Sequence, residues 1–141
     1  MSLSHRKVIT GGLLAGVIII IFNILGQFLL MDRIQHEMNT WIQGSADRIS
    51  MGTGAIAAGI IMKLLIGIIL IWFYAAMRPR FGPGPRTASY VAITVWILGA
   101  IYFSDFPLIG MMSVSSYALL EIMQFVTFLV AALVGARIYS E

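Results

Sequence analysis

Two ionisable side chains stand inside long apolar stretches of this sequence, and they are the first candidates for chemistry. Lys63 lies near the middle of the stretch 51–77, and Glu121 lies within the apolar stretch 112–136. A lysine at the centre of a membrane-spanning helix costs about 2.5–3.5 kcal/mol on insertion scales, so it requires a partner, water or a route to the membrane surface. An ammonium and a carboxylate in such places either neutralise each other or bind ions, protons or polar substrates.

The depth of the two residues predicts that they meet. If the second span begins at Ala55 and the fourth near Met112, Lys63 and Glu121 lie about eight and nine residues from the same surface, roughly 12 Å by the helical rise. Asn23 lies at a similar depth in the first span. We therefore expect a direct Lys63–Glu121 ion pair inside the protein. The side-chain amides expected to hydrogen-bond to it are Asn23, Gln27 and Gln124.

This polar cluster has more than one interpretation. As a buried ion pair it fixes the register of the helices and does no chemistry, which is the leading interpretation. It then belongs to a non-enzymatic accessory or self-associating subunit of the membrane. The alternative is a proton- or ion-coupled small transporter or channel that uses Glu121 and Lys63. A third class of function is binding of lipid or another apolar ligand between the helices.

The elements that position these residues are predicted to be membrane-spanning helices. The chain has 141 residues, of which 60% are hydrophobic and 11% charged, and a soluble domain of this size cannot bury so much apolar surface. We predict a single domain over 1–141, an all-α antiparallel four-helix bundle. Its predicted spans are 8–30, 55–77, 88–103 and 112–136. In the first span, Gly12 and Gly16 share a face with Asn23 and Gln27, so this face is expected to pack against another helix.

A short amphipathic helix is predicted between the first two spans, within residues 31–50. Apolar residues recur there with helical spacing, opposite Asp32, Arg33 and Glu37. This pattern is typical of a helix that lies at the membrane surface, with Trp41 as its anchor.

The distribution of basic residues predicts the orientation. With four spans, both termini and the loop 78–86 lie on one side, which carries six lysines and arginines against two on the other side. Cytoplasmic loops carry the excess of these residues, so both termini are expected in the cytoplasm. The six are Arg6, Lys7, Arg78, Arg80, Arg86 and Arg137, and the two are Arg33 and Arg48.

Three of these arginines, Arg78, Arg80 and Arg86, lie in one short loop rich in proline and glycine. They are candidates for binding anionic lipid headgroups or a phosphate. The alternative is that they only determine topology, in keeping with the positive-inside rule.

Several classes of function find no support in the residues. The chain has no cysteine, and its two histidines lie outside the predicted spans, so we expect no metal site and no cofactor. Motifs for nucleotide binding, nucleophilic catalysis or zinc proteolysis are missing, which makes an enzyme the least supported class. The basic residues are dispersed around the apolar runs, which argues against nucleic acid as a partner. The expected partners are the lipid bilayer and either further copies of the chain or a larger membrane complex.

The stretch Trp72-Phe-Tyr-Ala-Ala-Met-Arg-Pro-Arg-Phe-Gly-Pro-Gly-Pro-Arg-Thr-Ala88 resembles a group of small bacterial integral membrane proteins. In that group, a W-x-Y-A-x-x-R-P-R-x-G-x-G-x-x-T-A pattern links the second and third of four helices. The resemblance implies a location in the bacterial inner membrane. It carries over no functional residues.

Overall fold

The computed structural model describes residues 4–41 and 52–140, and the regular elements within these ranges are all helices. Four of them are long and apolar enough to cross a membrane, which indicates a multi-pass membrane protein and confirms the all-helical class. The helices are α1 His5–Trp41, α2 Thr53–Phe81, α3 Pro85–Phe103, α4 Asp105–Leu108 and α5 Val114–Ser140.

The first helix is longer than the sequence pattern predicts. It continues without a break to Trp41, so residues 31–41 are part of α1 and do not form a separate interfacial helix. The physical reason is local: no proline or glycine lies between Leu30 and Trp41 to end the helix. The remaining part of the predicted interfacial helix, 42–50, lies outside the described residues.

The second and third spans also extend beyond their predicted bounds. Helix α2 runs past Met77 and through Pro79, and it ends where Gly82 adopts a φ of +82°, a conformation that only glycine adopts without strain. The third span reaches Leu108, because the short helix α4 continues the path of α3.

Glycines bring α1 close to α2. A Cβ atom added at Gly12 would lie 2.5 Å from the Cα of Ile68, and one added at Gly16 would lie 2.7 Å from the Cα of Leu64. Gly67 of α2 faces the backbone of both Gly12 and Gly16 at still closer range. The expected close packing is therefore confirmed at Gly12 and Gly16, whereas Gln27, which was predicted to share this face, is exposed.

The closely packed core lies at one end of the molecule. Helix α2 contributes buried residues from Gly67 onward, and α3 contributes them only as far as Ala92. The earlier half of α2 and the later half of α3 contain no buried residue. The two helices thus share a common core near the turn that connects them. Farther from that turn, a crevice remains between them. The core consists mainly of Ala15, Ile19, Leu70, Ile71, Tyr74, Ala88, Val91, Ala92, Ala131, Ala132 and Tyr139.

Candidate functional site

The crevice contains a cavity of about 420 Å³ that is lined by residues from all four long helices. Most of its wall is apolar or aromatic, and this volume has room for several water molecules or a small solute. Four of the five predicted polar residues lie in its wall: Asn23 from α1, Lys63 from α2, and Glu121 and Gln124 from α5. We call this space the polar cavity.

The direct ion pair expected from the sequence is not formed. Within residues 4–41 and 52–140, neither Lys63 nor Glu121 takes part in an ion pair. The Lys63 Nζ atom lies close to Gly59, one turn earlier in α2, where an added Cβ would be 3.7 Å from it. Side chains in a helix lean toward its N-terminus, and Gly59 leaves room there for the ammonium. The two charged residues therefore share a cavity without contacting each other.

The fifth predicted residue, Gln27, does not line the polar cavity. It is exposed and borders a smaller cavity of about 120 Å³, which Asn23 and Gln124 also line. Gln27 lies four residues beyond Asn23, which is an advance of about 6 Å along the helix axis. This advance takes the Gln27 amide out of the polar cavity.

A third cavity, of about 250 Å³, adjoins the polar cavity. Phe103, Glu121 and Gln124 line both, and the third cavity continues to Phe106 and Met112 in the connection between α3 and α5. Glu121 and Gln124 therefore lie between two spaces, one of which extends toward that connection.

Two side chains tie α3 to α5 beside these cavities. The indole nitrogen of Trp96 donates a hydrogen bond to the carbonyl oxygen of Glu121 at 3.0 Å. The Tyr117 hydroxyl donates to the carbonyl oxygen of Ala100 at 2.5 Å. Sequence reasoning missed Trp96. The sequence did contain a signal for it, because Trp96 lies in the interior of a predicted span, away from the interfacial belts. An indole N–H group in such a place requires a hydrogen-bond acceptor.

In the other direction the polar cavity meets the closed core. Leu70, Ile71, Val91 and Ala132 have at most 1% of their surface exposed, and they fill the space between α2, α3 and α5. Access to Lys63 and Glu121 is therefore blocked on the side of the turn between α2 and α3.

A second polar group joins the end of α1 to the start of α5, and the sequence did not reveal it. The Glu37 carboxylate accepts hydrogen bonds from the Ser113 backbone N–H at 2.9 Å, the Ser113 hydroxyl at 2.8 Å and the Ser116 hydroxyl at 2.7 Å. We call this group the Glu37 clamp. These hydrogen bonds, with a smaller contribution from Arg33, lower the pKa of Glu37. The available signal was Ser113 near the start of the predicted fourth span, because serine often caps the N-terminus of a helix.

The turn between α2 and α3 is held by its own hydrogen bonds. The Gly84 N–H donates to the Tyr74 hydroxyl at 3.0 Å, and the Thr87 hydroxyl donates to the Gly82 carbonyl oxygen at 2.7 Å. Gly84 has a φ of +122°, which favours glycine at this position. The glycines, tyrosine and threonine of the stretch 72–88 thus have structural roles in this turn.

Three arginines flank the turn, Arg78 and Arg80 in the last part of α2 and Arg86 at the start of α3, and each lies over an aromatic ring. The guanidinium carbons of Arg78, Arg80 and Arg86 lie 5.6, 5.9 and 5.7 Å from the centres of their partner rings. These distances are within the range of cation–π interactions. Arg86 also donates a hydrogen bond from Nε to the Tyr90 hydroxyl at 2.9 Å. The partner rings are Tyr139, Phe81 and Tyr90, in the same order.

No group of three or more histidine or acidic side chains in the described part of the chain is placed to hold a metal ion. Comparisons with protein-family models, with curated proteins and with solved structures found no match. Any function must therefore be inferred from the residues and cavities of this chain itself.

Proposed function

We propose that this chain is a non-enzymatic membrane protein whose four long helices form an antiparallel bundle. The contacts between α1 and α2 support this arrangement. Gly12 faces Ile68, whereas Gly16, one turn later in α1, faces Leu64, one turn earlier in α2. A later residue of α1 therefore faces an earlier residue of α2, which is the pattern of antiparallel neighbours.

The proposed location is the bacterial inner membrane, with both termini in the cytoplasm. The excess of lysine and arginine near the termini and in residues 78–86, around the turn between α2 and α3, supports this orientation. The resemblance of residues 72–88 to small bacterial membrane proteins supports the location. In this orientation, the connection between α3 and α5 faces the outer side, together with the end of α1.

The proposed activity is that of a small transporter or channel that conducts protons or ions through the cavity of Lys63 and Glu121. One observation carries this proposal: Lys63 and Glu121 line a common cavity and do not neutralise each other in a closed core. An ionisable residue inside a membrane protein is costly, so an unpaired one that faces a cavity is a candidate for binding ions, protons or substrate. A purely structural ion pair would be expected to be closed and in contact.

The two charged groups have different proposed roles. Glu121 takes up a proton or a cation, because its carboxylate faces the polar cavity and the adjoining space toward the outer connection. Lys63 adds a positive charge to the same wall, which weakens the binding of a cation and favours its release. Asn23 and Gln124 offer donors and acceptors to a polar solute.

The test is proton flux into vesicles that contain the purified protein and an internal pH-sensitive dye. With an imposed potassium diffusion potential, negative inside, we expect the protein to acidify the vesicles at a rate well above that of protein-free vesicles. Glu121→Gln removes the titratable group from the polar cavity, and the flux should fall by at least about ten-fold, the effect typical of losing a positioned proton-transfer group.

The matched control is Asp105→Asn, because Asp105 is an exposed carboxylate in α4 that does not line the polar cavity. Its flux should equal that of the wild type. Equal rates for wild-type and protein-free vesicles, or equal losses in the two variants, would contradict proton coupling through Glu121.

An accessory or self-associating role remains the second candidate, supported by a different observation. The first half of α2 contains no buried residue and is rich in small residues, including Gly54, Ala58 and Gly59. Small residues permit close approach of another helix in the membrane. Absence of flux, combined with disulfide cross-linking between copies that carry Ala58→Cys, would favour this role over transport.

A further inference from the structure

A cavity of about 340 Å³ lies beside the arginine-bearing turn, at the opposite end of the molecule from the Glu37 clamp. The turn supplies Gly84 and Pro85 to its wall, α2 supplies Tyr74, and α5 supplies Leu133, Ala136 and Arg137. The wall is therefore largely apolar, with an arginine among its lining residues. It lies between the end of one candidate membrane span, at Phe81, and the start of the next, at Pro85.

The arginines that flank the turn continue this positive charge outside the cavity. Arg80 and Arg86 are exposed, and no ion pair to them or to Arg78 is found in residues 4–41 and 52–140. The carboxylates of the described residues lie elsewhere, in the later part of α1, in α4 and in the first half of α5. The charge of the turn is therefore available to an external anion.

One of the three guanidinium groups, that of Arg78, is held by aromatic contacts that lead to the cavity. Arg78 lies over the ring of Tyr139, which packs edge-to-face against Tyr74 at 5.9 Å, and Tyr74 lines the cavity. The hydrogen bond from Gly84 to the Tyr74 hydroxyl fixes the turn against the same ring. One continuous set of contacts thus connects the basic turn to the apolar cavity.

We propose that this end of the molecule binds an anionic phospholipid, with the headgroup phosphate on Arg80 and Arg86 and the apolar part of the lipid in the adjoining cavity. Guanidinium groups recognise phosphate by paired hydrogen bonds, and basic segments next to a membrane attract anionic lipids. A free phosphate shares the headgroup chemistry but has no part that would occupy an apolar cavity. This combination favours a lipid over a soluble anion, and the proposal does not depend on transport activity.

The test is native mass spectrometry of the full chain in detergent with equal amounts of phosphatidylglycerol and phosphatidylcholine. The wild type should retain phosphatidylglycerol in clear preference. Arg80→Gln combined with Arg86→Gln should reduce that preference by about ten-fold, because two charges next to the headgroup are lost. The control is Arg6→Gln combined with Lys7→Gln, which removes the same charge from the start of α1 and should keep the preference.

A variant that retains charge covers the case in which the glutamine variant does not fold. Arg80→Lys with Arg86→Lys keeps both positive charges but loses the planar fork, and it should lower the preference by about three-fold. An unchanged preference in this variant and in the glutamine variant, or an equal loss in the control, would overturn the proposal.

A further experiment repeats the wild-type measurement in the presence of millimolar inorganic phosphate. Retention of the lipid supports a headgroup site, whereas its displacement would show a site for a soluble anion and overturn the lipid assignment.

Discussion

Glu37 and Glu121 show how differently one residue type behaves at two places in this chain. Glu37 accepts three hydrogen bonds from Ser113 and Ser116, whereas Glu121 lies in the wall of a cavity. The first carboxylate satisfies the free N–H group at the start of α5, which is a stabilising role. The second lies where water or a solute can reach it, which suits binding. The two carboxylates therefore differ in their surroundings, which is the reason that we propose different roles for them.

The Glu37 clamp predicts a pH dependence of stability. The hydrogen bonds lower the pKa of Glu37 in the folded protein below its ordinary value of 4.5. The stabilising contribution is therefore fully present above about pH 4.5 and is lost as the pH falls through the folded pKa. Thermal unfolding in detergent should show a steeper loss of Tm below this pH in the wild type than in Glu37→Gln. At neutral pH the variant should lose about 1 kcal/mol of unfolding free energy.

Asp32→Asn is the matched control for this prediction, because Asp32 is an exposed carboxylate of the same helix. Its Tm should follow the wild-type curve at every pH. Parallel pH curves for the wild type and Glu37→Gln would show that the clamp does not contribute in solution.

Helix α2 has two halves with different surroundings. From Gly67 onward its residues enter the core against α1, α3 and α5, and Gly67 itself faces the backbone of α1. Before Gly67, the helix borders the polar cavity and otherwise has mostly exposed side chains. The hydrophobic effect does not drive helices together within lipid. Close packing of small residues is therefore the main contribution to the stability of the half that begins at Gly67.

Gly67→Ala should destabilise the protein strongly. The added Cβ would meet the Gly16 nitrogen and the Gly12 carbonyl oxygen, which are backbone atoms and cannot move without separating α1 from α2. We expect a loss of about 2 kcal/mol or more, since overpacking of a closely packed core typically costs about 1–3 kcal/mol. Unfolding by titration with a denaturing detergent measures this difference.

The control is Gly99→Ala in α3, where an added Cβ would meet no atom within 4 Å. This change should leave stability equal or slightly increased, because alanine favours helix more than glycine does. A similar loss in both variants would indicate that helix propensity, not contact with α1, determines the effect.

The molecule as a whole is closed at the end that carries the basic turn and open toward the connection between α3 and α5. The closed end contains the buried hydrophobic core, to which all four long helices contribute, and the open end contains the adjoining cavities around Glu121 and Gln124. Such an asymmetry is expected of a carrier that exposes its site to one side of the membrane at a time.

This asymmetry predicts the water accessibility of single cysteines, for which the cysteine-free chain is a suitable background. Gln124→Cys should react with a charged, membrane-impermeant thiol reagent applied from the side of the α3–α5 connection. Ala132→Cys, in the closed core, and Ile122→Cys, on the exposed apolar face, should react at least about ten-fold more slowly, because the thiolate forms only in contact with water. Equal rates at the three positions would contradict an open, hydrated cavity.

The sequence was sufficient for those features that depend on local patterns. Long apolar runs have one stable form in lipid, the helix, because every backbone polar group must be satisfied internally. The all-helical class and four helices long enough to span a membrane therefore followed from the sequence, as did the packing of Gly12 and Gly16. The shared surroundings of Asn23, Lys63, Glu121 and Gln124 followed from their depth and helical face.

Contacts between distant residues required the folded chain. Depth along a helix does not determine the distance across a crevice, so the sequence could not show that Lys63 turns toward Gly59 and stays apart from Glu121. Nor could it show that Glu37, 76 residues before Ser113, caps the last long helix. Helix length and facing residues are local properties, whereas separation, cavity shape and capping between helices depend on how four rigid helices pack together.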